Sequence, residues 1–240
     1  VSDNQDDTLT LQKVFNQLLT TDEDIEEKTN FILGRYGFDI ERISNQFGLE
    51  VIVREVEKET GNFIKQYSYS KDKWKHLTGN EKIIVKYDCN IEDSIKRIEA
   101  EYLTVHKAKG LEADNIIVIN CNSGKFGFPS EMSDDQVLNL LLSEADQFEN
   151  GEERRLFYVA MTRAKENVYF VTDSSFKSKF IAELEIESGQ SPNKKCPTCK
   201  TADIVLRKSG KSKNGNTYKF FGCTNYLYGC DYTTTEWINN

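Results

Sequence analysis

The residues with the clearest chemical potential lie in residues 152–173, EERRLFYVAMTRAKENVYFVTD. The apolar side chains of the first half recur at helical spacing and form one stripe: Leu156, Phe157, Val159, Ala160 and Ala164. Residues 167–171, NVYFV, follow as a β-branched and aromatic run that is typical of a buried strand. The sequence therefore predicts that Arg163 lies where a helix meets the edge of a sheet.

An arginine fixed at the rim of an α/β sheet suits a phosphoanion. Its planar guanidinium donates two parallel hydrogen bonds and keeps its charge at every physiological pH. This is the chemistry of an arginine finger. The alternative is that the charged residues of the helix only solvate its surface or pair with one another: Arg154, Arg155 and Arg163 with Glu152, Glu153 and Glu166.

A second polar segment, residues 104–120, has the sequence TVHKAKGLEADNIIVIN. A strand ending near Thr104 would deliver His106 into a loop, and Gly110 would allow a close turn before a second strand at residues 115–120. Loops at the ends of parallel strands are where such sheets bind ligands.

These two segments carry a family resemblance. EERRLFYVAMTRA resembles motif VI of superfamily 1 helicases of the UvrD/Rep type, and TVHKAKGLEADNIIV resembles their motif V. The resemblance implies that Arg163 contacts the nucleotide phosphates and that Gly110 and Glu112 lie by the nucleotide. It also implies that Thr104 and His106 approach the backbone of single-stranded DNA.

A third segment, residues 30–36, reads NFILGRY and is predicted to be a short buried strand that ends in Gly-Arg. It resembles motif IV of the same family, which makes Arg35 a second phosphate contact. We therefore expect Arg35 and Arg163 to stabilise charge on one transferring phosphoryl group. The alternative is an arginine that merely caps the end of a strand.

The rest of the first 189 residues reads as alternating strands and helices, which favours a parallel sheet. The elements are helices at 8–20, 40–47, 91–99, 137–142 and 176–184, a hairpin at 49–69 and a strand at 83–85. We predict an α/β domain over residues 1–189, with a RecA-like parallel sheet flanked by helices. The short stretch between Arg35 and Thr104 points to a compact relative, nearer the helicase IV branch.

The loop at residues 121–132, CNSGKFGFPSEM, is rich in glycine and carries aromatic side chains. Lys125 is a candidate DNA contact there, because a lysine can meet a phosphate while aromatic faces stack on bases. A packed loop without a ligand is the alternative.

Residues 190–240 differ in composition from the preceding part of the chain and contain Cys196, Cys199, Cys223 and Cys230. Two cysteine pairs of this kind are typical of a structural Zn²⁺ site, and metal binding would supply folding free energy that so small a module lacks. Two disulfides are the alternative, but they need an oxidising compartment, and the sequence shows no signal peptide.

This tail, which follows a linker at residues 189–193, resembles the C-terminal zinc ribbons of bacterial type IA topoisomerases, which bind single-stranded DNA. From residue 191 onward it has eight Lys and Arg against three acidic residues, so it carries +5 while the preceding residues carry −13. A basic, aromatic-rich module can meet DNA although the whole chain carries −8.

The sequence contains no GxxxxGK[ST] phosphate loop. We therefore expect a piece of a longer cytoplasmic protein, an ATP-dependent DNA helicase or translocase with 3′ to 5′ polarity implied by family, using ATP with Mg²⁺. Its partners would be an upstream first RecA-like domain of the same protein and single-stranded DNA or single/double-strand junctions, without a membrane. The alternative is a non-catalytic, zinc-dependent module that binds single-stranded DNA or docks protein.

Overall fold

The computed structural model describes residues 2–3, 7–44, 48–91, 94–130, 150–173, 176–187, 196–202, 204–211, 217–223, 225–226 and 229–238. The chain divides into two compact units, Val1–Ala182 and Glu183–Asn240. Within the described residues, no helix combines the length and the hydrophobicity that crossing a membrane requires. The predicted helix at 137–142 and the linker at 189–193 lie outside the described residues.

The described elements up to Glu187 do not alternate strictly, because six strands follow one another between the first two described α-helices. In chain order they are β1 (Ser2–Asp3), α1 (Asp7–Thr21), β2 (Asn30–Gly34), β3 (Leu49–Val56), β4 (Phe63–Ser68), β5 (Glu81–Ile91), β6 (Ser94–Thr104), β7 (Ala113–Val118), α2 (Gly151–Met161), β8 (Ala164–Phe170), β9 (Thr172–Asp173) and α3 (Lys179–Glu187). Short 3-10 helices cover Gly37–Arg42 and Lys73–His76. The predicted helix at 40–47 is thus a 3-10 turn in its described part.

The central sheet has seven strands in the order β4-β3-β5-β6-β2-β7-β8. Strands β6, β2, β7 and β8 run parallel to one another, whereas β4, β3, β5 and β6 are paired antiparallel. The architecture fits the predicted RecA-like α/β class, but the sheet is mixed and not purely parallel.

The helix predicted at residues 91–99 is wrong. That segment forms the end of β5 and the first half of β6, which pair as a long antiparallel hairpin from Ile83 opposite Tyr102 to Ile91 opposite Ser94. Ile91, Ile95 and Ile98 fit helical spacing, although the segment is extended. In the hairpin Ile98 is buried while Ile95 is 77% exposed, so pairing with β5 decides the conformation.

Helices pack on both faces of the sheet. On one face, Leu11, Val14, Phe15 and Leu18 of α1 pack with sheet residues that include Ile32, Val85 and Ile117. On the opposite face, Phe157 of α2 contacts three rings at centroid distances of 5.1–5.2 Å, namely those of Phe128, Phe170 and Phe180. Because side chains alternate along each strand, neighbouring positions serve different layers.

A ladder of asparagine side chains ties three parallel strands together. Asn115 Nδ2 donates to Asn30 Oδ1 at 2.9 Å, and Asn167 Nδ2 donates to Asn115 Oδ1 at 2.9 Å. Asn115 is fully buried and Asn30 is 4% exposed. The ladder fixes the register of β2, β7 and β8, because a one-residue slip would leave buried amide groups unpaired.

The second unit contains a three-stranded antiparallel sheet. Its strands are β10 (Ile204–Lys211), β11 (Thr217–Cys223) and β12 (Thr233–Ile238). Its small core is made of Cys196, Ala202, Cys223 and Cys230. The burial of three cysteine side chains in so small a core makes the chemistry of those sulfurs central to its stability.

We expect Asn115→Ala to lower the free energy of unfolding by about 1–3 kcal/mol, because it leaves the buried Oδ1 of Asn30 without its hydrogen-bond donor. Urea unfolding followed by circular dichroism measures the change. Asn90→Ala, at an exposed position of β5, is the matched control and should change stability by less than about 0.5 kcal/mol. Equal effects of the two substitutions would contradict a structural role for the ladder.

Candidate functional site

The parallel strands define two edges of the sheet. The carboxyl edge contains the strand ends at Gly34, Thr104, Val118 and Phe170, and the amino edge contains the strand starts at Asn30, Ala113 and Ala164. The predicted site residues divide between these two edges.

Arg163 lies at the amino edge. It follows Thr162, the C-cap residue of α2, and its carbonyl accepts a hydrogen bond of 3.0 Å from Ala113 N at the start of β7. Its guanidinium donates to Val159 O at 3.2 Å, to Leu111 O at 3.3 Å and to Thr162 Oγ1 at 3.3 Å. These partners are uncharged oxygens at long hydrogen-bond distances, so the bonds are weak.

Gly110 and Glu112 accompany Arg163 at the amino edge. Gly110 has φ +86°, which the absence of a side chain permits, and a Cβ there would meet open space. Glu112 is exposed and lies between Leu111, which accepts from the Arg163 guanidinium, and Ala113, which donates to the Arg163 carbonyl. One carboxylate and one guanidinium are therefore presented together on this edge.

Arg35 lies at the opposite, carboxyl edge, where it pairs with Glu153 of α2. Its Nε and Nη2 donate to Glu153 Oε1 at 3.0 Å and 2.6 Å, and the two side chains are 17% and 12% exposed. Burial opposes the charge, but the hydrogen bonds to Glu153 outweigh it and raise the pKa of Arg35. Ser130 N donates to Glu153 Oε2 at 2.9 Å, so the same carboxylate also anchors the loop after β7.

The two arginines, which we expect from the sequence to stabilise one phosphoryl group, lie at opposite edges of the sheet in this chain. Helix α2 runs antiparallel to the strands beside it, with Glu153 in its first turn and Arg163 beyond its last. At 1.5 Å per residue, these positions are separated by about 15 Å along the helix. Arg35 is bonded to Glu153 in the first turn of α2. It is therefore separated from Arg163 by about the length of the helix.

Thr104 and His106 belong to the carboxyl edge with Arg35. Val105 N donates to Gly34 O at 3.0 Å, so the loop leaves β6 beside the end of β2. Thr104 accepts at Oγ1 from Lys107 N at 3.3 Å and at its carbonyl from Ala108 N at 3.0 Å. This turn leaves the side chains of His106 and Lys107 exposed.

Lys125 lies in the loop after β7 and is also at the carboxyl edge. The buried side chain of Asn120 holds this loop, since its Nδ2 donates to Phe126 O at 2.7 Å and to Asp39 Oδ1 at 3.1 Å. Lys125 is exposed, and its Nζ is 5.6 Å from the centre of the Phe126 ring.

Two features of this edge escaped the sequence analysis. The first is the Arg35–Glu153 ion pair, whose members are 118 positions apart. The second is a group of rings that we call the aromatic cluster: Tyr36, Phe38, Trp74 and Phe126. The Arg-Tyr-Gly-Phe sequence after β2 was a visible signal for half of this cluster, but nothing local points to Trp74.

Other charged residues on and beside α2 do form ion pairs, as the alternative to a phosphate contact predicts. Arg155 Nη1 contacts Glu152 Oε2 at 2.9 Å on the exposed surface. Glu166 accepts from Lys28 Nζ at 2.7 Å. Among the described residues, neither of these carboxylates pairs with Arg163.

The four predicted cysteine ligands form one cluster in the second unit. The sulfurs of Cys196, Cys199, Cys223 and Cys230 all lie within 4.8 Å of one another, with Cys196–Cys230 and Cys199–Cys223 at 3.6 Å. A tetrahedral ion with metal–sulfur distances of ~2.3 Å needs sulfurs ~3.8 Å apart, so the donor set fits. A disulfide needs ~2.05 Å, so these positions are those of free thiols.

Backbone amides support the sulfurs. Asn225 N donates to Cys223 Sγ at 3.4 Å. A hydrogen bond from the backbone at Ala202 lowers the pKa of Cys199 to about 6. The thiolate, which is the form that binds metal, is therefore favoured at Cys199.

Comparisons with known proteins identify relatives of the first unit. A family model described as UvrD-like helicase C-terminal domain matches residues 10–175. DNA helicase IV of Escherichia coli K12 is 33% identical over 89 residues, which cover 37% of this chain and 13% of that protein. A probable DNA helicase II homolog of Mycoplasma capricolum is 26% identical over 200 residues, 77% of this chain and 26% of the relative.

DNA helicase II of Rickettsia typhi is also similar, at 31% identity over 128 residues, 49% of this chain and 16% of that protein. The chain therefore spans about a quarter or less of the length of these curated relatives.

We expect the full chain to bind one Co²⁺ or Zn²⁺ ion through the cysteine cluster and to show the visible absorption of tetrahedral cobalt–thiolate coordination. Binding should weaken as the pH falls, because protons compete for the thiolates. Cys199→Ser should abolish the absorption band, whereas Cys89→Ser should leave it unchanged. A band that survives in the Cys199 variant would contradict the site.

Proposed function

Because this chain belongs to the family of UvrD-like helicase C-terminal domains, we propose that it forms the second RecA-like motor domain of an ATP-dependent DNA helicase or translocase. The observation that carries the proposal is the division of the candidate residues between two edges. The amino edge gathers Gly110, Glu112 and Arg163, and the carboxyl edge gathers Thr104, His106 and Lys125. We assign the amino edge to the nucleotide and the carboxyl edge to single-stranded DNA.

The hydrogen bonds of the Arg163 guanidinium suit a residue that contacts the nucleotide. Its guanidinium is held by long hydrogen bonds to uncharged oxygens. A triphosphate, as a stronger, charged acceptor, can replace these oxygens at little cost. The charge of Arg163 would then stabilise the transferring phosphoryl group, as an arginine finger does.

Glu112 complements Arg163 on the same edge. Its exposed carboxylate can accept hydrogen bonds from nucleotide hydroxyls, and Gly110 leaves open space for close approach. ATP with Mg²⁺ supplies the phosphoryl group and its counter-charge. The chain has no phosphate-binding loop of its own, so we propose that the first RecA-like domain of the parent protein supplies that loop.

Arg35 receives a different role from the one its motif suggested. Its bidentate pair with Glu153 joins the end of β2 to the first turn of α2, and the same carboxylate anchors Ser130. We propose that Arg35 is a positioning residue for the DNA edge and that it makes no contact with the transferring phosphoryl group. The 3′ to 5′ polarity belongs to the proposal through family resemblance.

The second unit would add a zinc-dependent DNA contact. Tyr226 and Trp237 are 59% and 57% exposed, and their rings can stack on unpaired bases. Zn²⁺ bound by the four cysteines would stabilise the fold that presents them.

A second candidate function is a module that binds single-stranded DNA or docks protein without hydrolysing ATP. The absence of a phosphate-binding loop from this sequence favours it for the chain in isolation. The two functions separate in the parent protein, where only the motor shows ATP hydrolysis that depends on Arg163.

In the parent protein, Arg163→Ala should lower kcat for DNA-stimulated ATP hydrolysis by about 10³- to 10⁵-fold, the range for an arginine finger. Affinity for single-stranded DNA should stay nearly constant, because Arg163 lies at the other edge. Steady-state kinetics and fluorescence anisotropy measure the two quantities. Arg155→Ala, an exposed arginine of the same helix paired with Glu152, is the matched control and should retain turnover.

Arg35→Ala should weaken DNA binding and lower thermal stability, since it leaves the half-buried Glu153 unpaired. It should reduce kcat at saturating DNA far less than Arg163→Ala does. If a folded Arg35→Ala protein lost as much turnover as Arg163→Ala, the separation of the two edges would be the wrong account of their roles.

A further inference from the structure

We propose that the aromatic cluster, together with the basic segment at residues 71–76, forms an additional binding surface for single-stranded DNA beside the carboxyl edge. This inference rests on the proposed function and extends it to Phe38 and residues 71–76, which lie outside the three helicase motifs. The segment connects β4 to β5, so it belongs to the antiparallel half of the sheet and not to the parallel strands that present Thr104 and His106.

The rings form a continuous set. Tyr36 stacks on Phe38 with centroids 4.9 Å apart, and Phe126 meets both edge-on at 6.0 Å and 5.7 Å. Phe38 also meets Trp74 at 6.1 Å. Phe126 is 46% exposed and the other three rings are half-buried. Buried core rings of this protein, such as Phe15 and Phe128, have no exposed surface.

Trp74 is held in place by specific contacts. A Cβ at Gly37 would lie 2.3 Å from the indole, so only glycine lets the ring rest against this backbone. Glu41 Oε1 accepts hydrogen bonds from Trp74 Nε1 at 3.1 Å and from Asp72 N at 2.7 Å. Lys73 Nζ pairs with Glu81 at 3.0 Å and fixes the segment to the start of β5. The indole is therefore preorganised, which lowers the entropic cost of binding.

Lysine side chains lie close to two of these rings. Lys75 Nζ is 5.3 Å from the centre of the Trp74 ring, and Lys125 Nζ is 5.6 Å from that of Phe126. Lys71, Lys75 and His76 are exposed on the segment itself. Lys75 also pairs with the exposed Asp72, an interaction that a phosphate can replace because exposed pairs contribute little stability.

Rings interleaved with lysines match the chemistry of an unpaired strand. Stacked bases need aromatic faces and the backbone needs positive charge at the same spacing, whereas the bases of a duplex are not available for stacking on protein rings. A duplex contacts mainly the positive charges, through its phosphates. The exposed aromatic surface therefore favours the single strand.

The surface is continuous with the proposed DNA edge. Tyr36 follows Arg35 directly, and Tyr102 of β6 donates from its hydroxyl to Tyr36 O at 2.5 Å. Thr104 ends the same strand β6. A single strand of DNA that crosses the carboxyl ends of β6 and β2 would therefore continue to Phe38 and Trp74.

The experiment uses the intrinsic fluorescence of Trp74 in the full chain. The sequence has two tryptophans, so Trp237→Phe leaves Trp74 as the single reporter, and it is titrated with oligo(dT) at low salt. Fluorescence anisotropy of labelled oligo(dT) measures total binding in parallel. We expect Trp74 emission to be quenched with the same midpoint as the anisotropy change.

Substitutions then test the energetic contribution. Lys71→Glu with Lys75→Glu should weaken oligo(dT) binding about fivefold or more, and Trp74→Leu should do so too, as loss of one stacked base costs at least ~1 kcal/mol. Lys58→Glu with Lys65→Glu, at two exposed lysines of the β3–β4 hairpin, is the control with the same change of charge. It should weaken binding less than twofold. Circular dichroism verifies that each variant is folded, and the lysine variants test the surface even if Trp74→Leu does not fold.

Three results would contradict the inference in distinguishable ways. If oligo(dT) binds by anisotropy while Trp74 emission and the lysine variants are unchanged, the aromatic cluster is not a DNA surface, and the proposed DNA edge survives. If oligo(dT) does not bind the full chain at all, the inference and the DNA part of the proposed function are both wrong. A duplex that quenches Trp74 as strongly as oligo(dT) would contradict the preference for a single strand.

Discussion

The direction of helix α2 is the constraint on which the rest of the structure depends. The helix returns antiparallel to the parallel strands and so reaches both edges of the sheet. Its first turn fixes Glu153 against Arg35 at the carboxyl edge, and the residue after its last turn places Arg163 beside Glu112 at the amino edge. The asparagine ladder holds the underlying strands in register, so the two sets of residues keep a fixed separation.

This arrangement offers a physical route between the two proposed ligands. Helix α2 and the loop at residues 105–112 both run from one edge to the other, and they meet where Arg163 donates to Leu111 O. A change in the bonds of Arg163 would therefore act on a loop whose other end carries Thr104 and His106. The weak hydrogen bonds of Arg163 would allow the C-terminal end of α2 to exchange partners. The strong ion pair between Arg35 and Glu153 would keep the N-terminal end of the helix anchored.

Local features were predictable from the sequence, whereas long-range placement was not. Helix α1, strand β2 and the hairpin of β3 and β4 follow from spacing alone, because each depends on neighbouring residues. The cysteine cluster joins distant positions, but the ligand chemistry of its four cysteines made it predictable. The hairpin of β5 and β6 was missed, since its isoleucines fit both helical and strand spacing and only pairing decides between them. Trp74 meets Phe38 because Gly37 admits the indole, a tertiary contact that no local pattern encodes.

The separation of the two arginines along the parallel strands follows from chain direction, which the sequence shows. Arg35 follows its strand and Arg163 precedes its strand. In a set of parallel strands these positions lie at opposite edges, whatever the motifs around them suggest. Motif resemblance predicts that both guanidinium groups contact one phosphate, whereas chain direction alone predicts that they lie apart.

The most direct test of this account is hydrogen–deuterium exchange of the parent protein with a non-hydrolysable ATP analogue or with oligo(dT). The account predicts that the nucleotide protects the backbone around residues 110–113 and 160–164, and that the oligonucleotide protects residues 35–38 and 104–107. Protection of residues 35–38 by the nucleotide, at the same level as residues 160–164, would contradict the separation of the two sites.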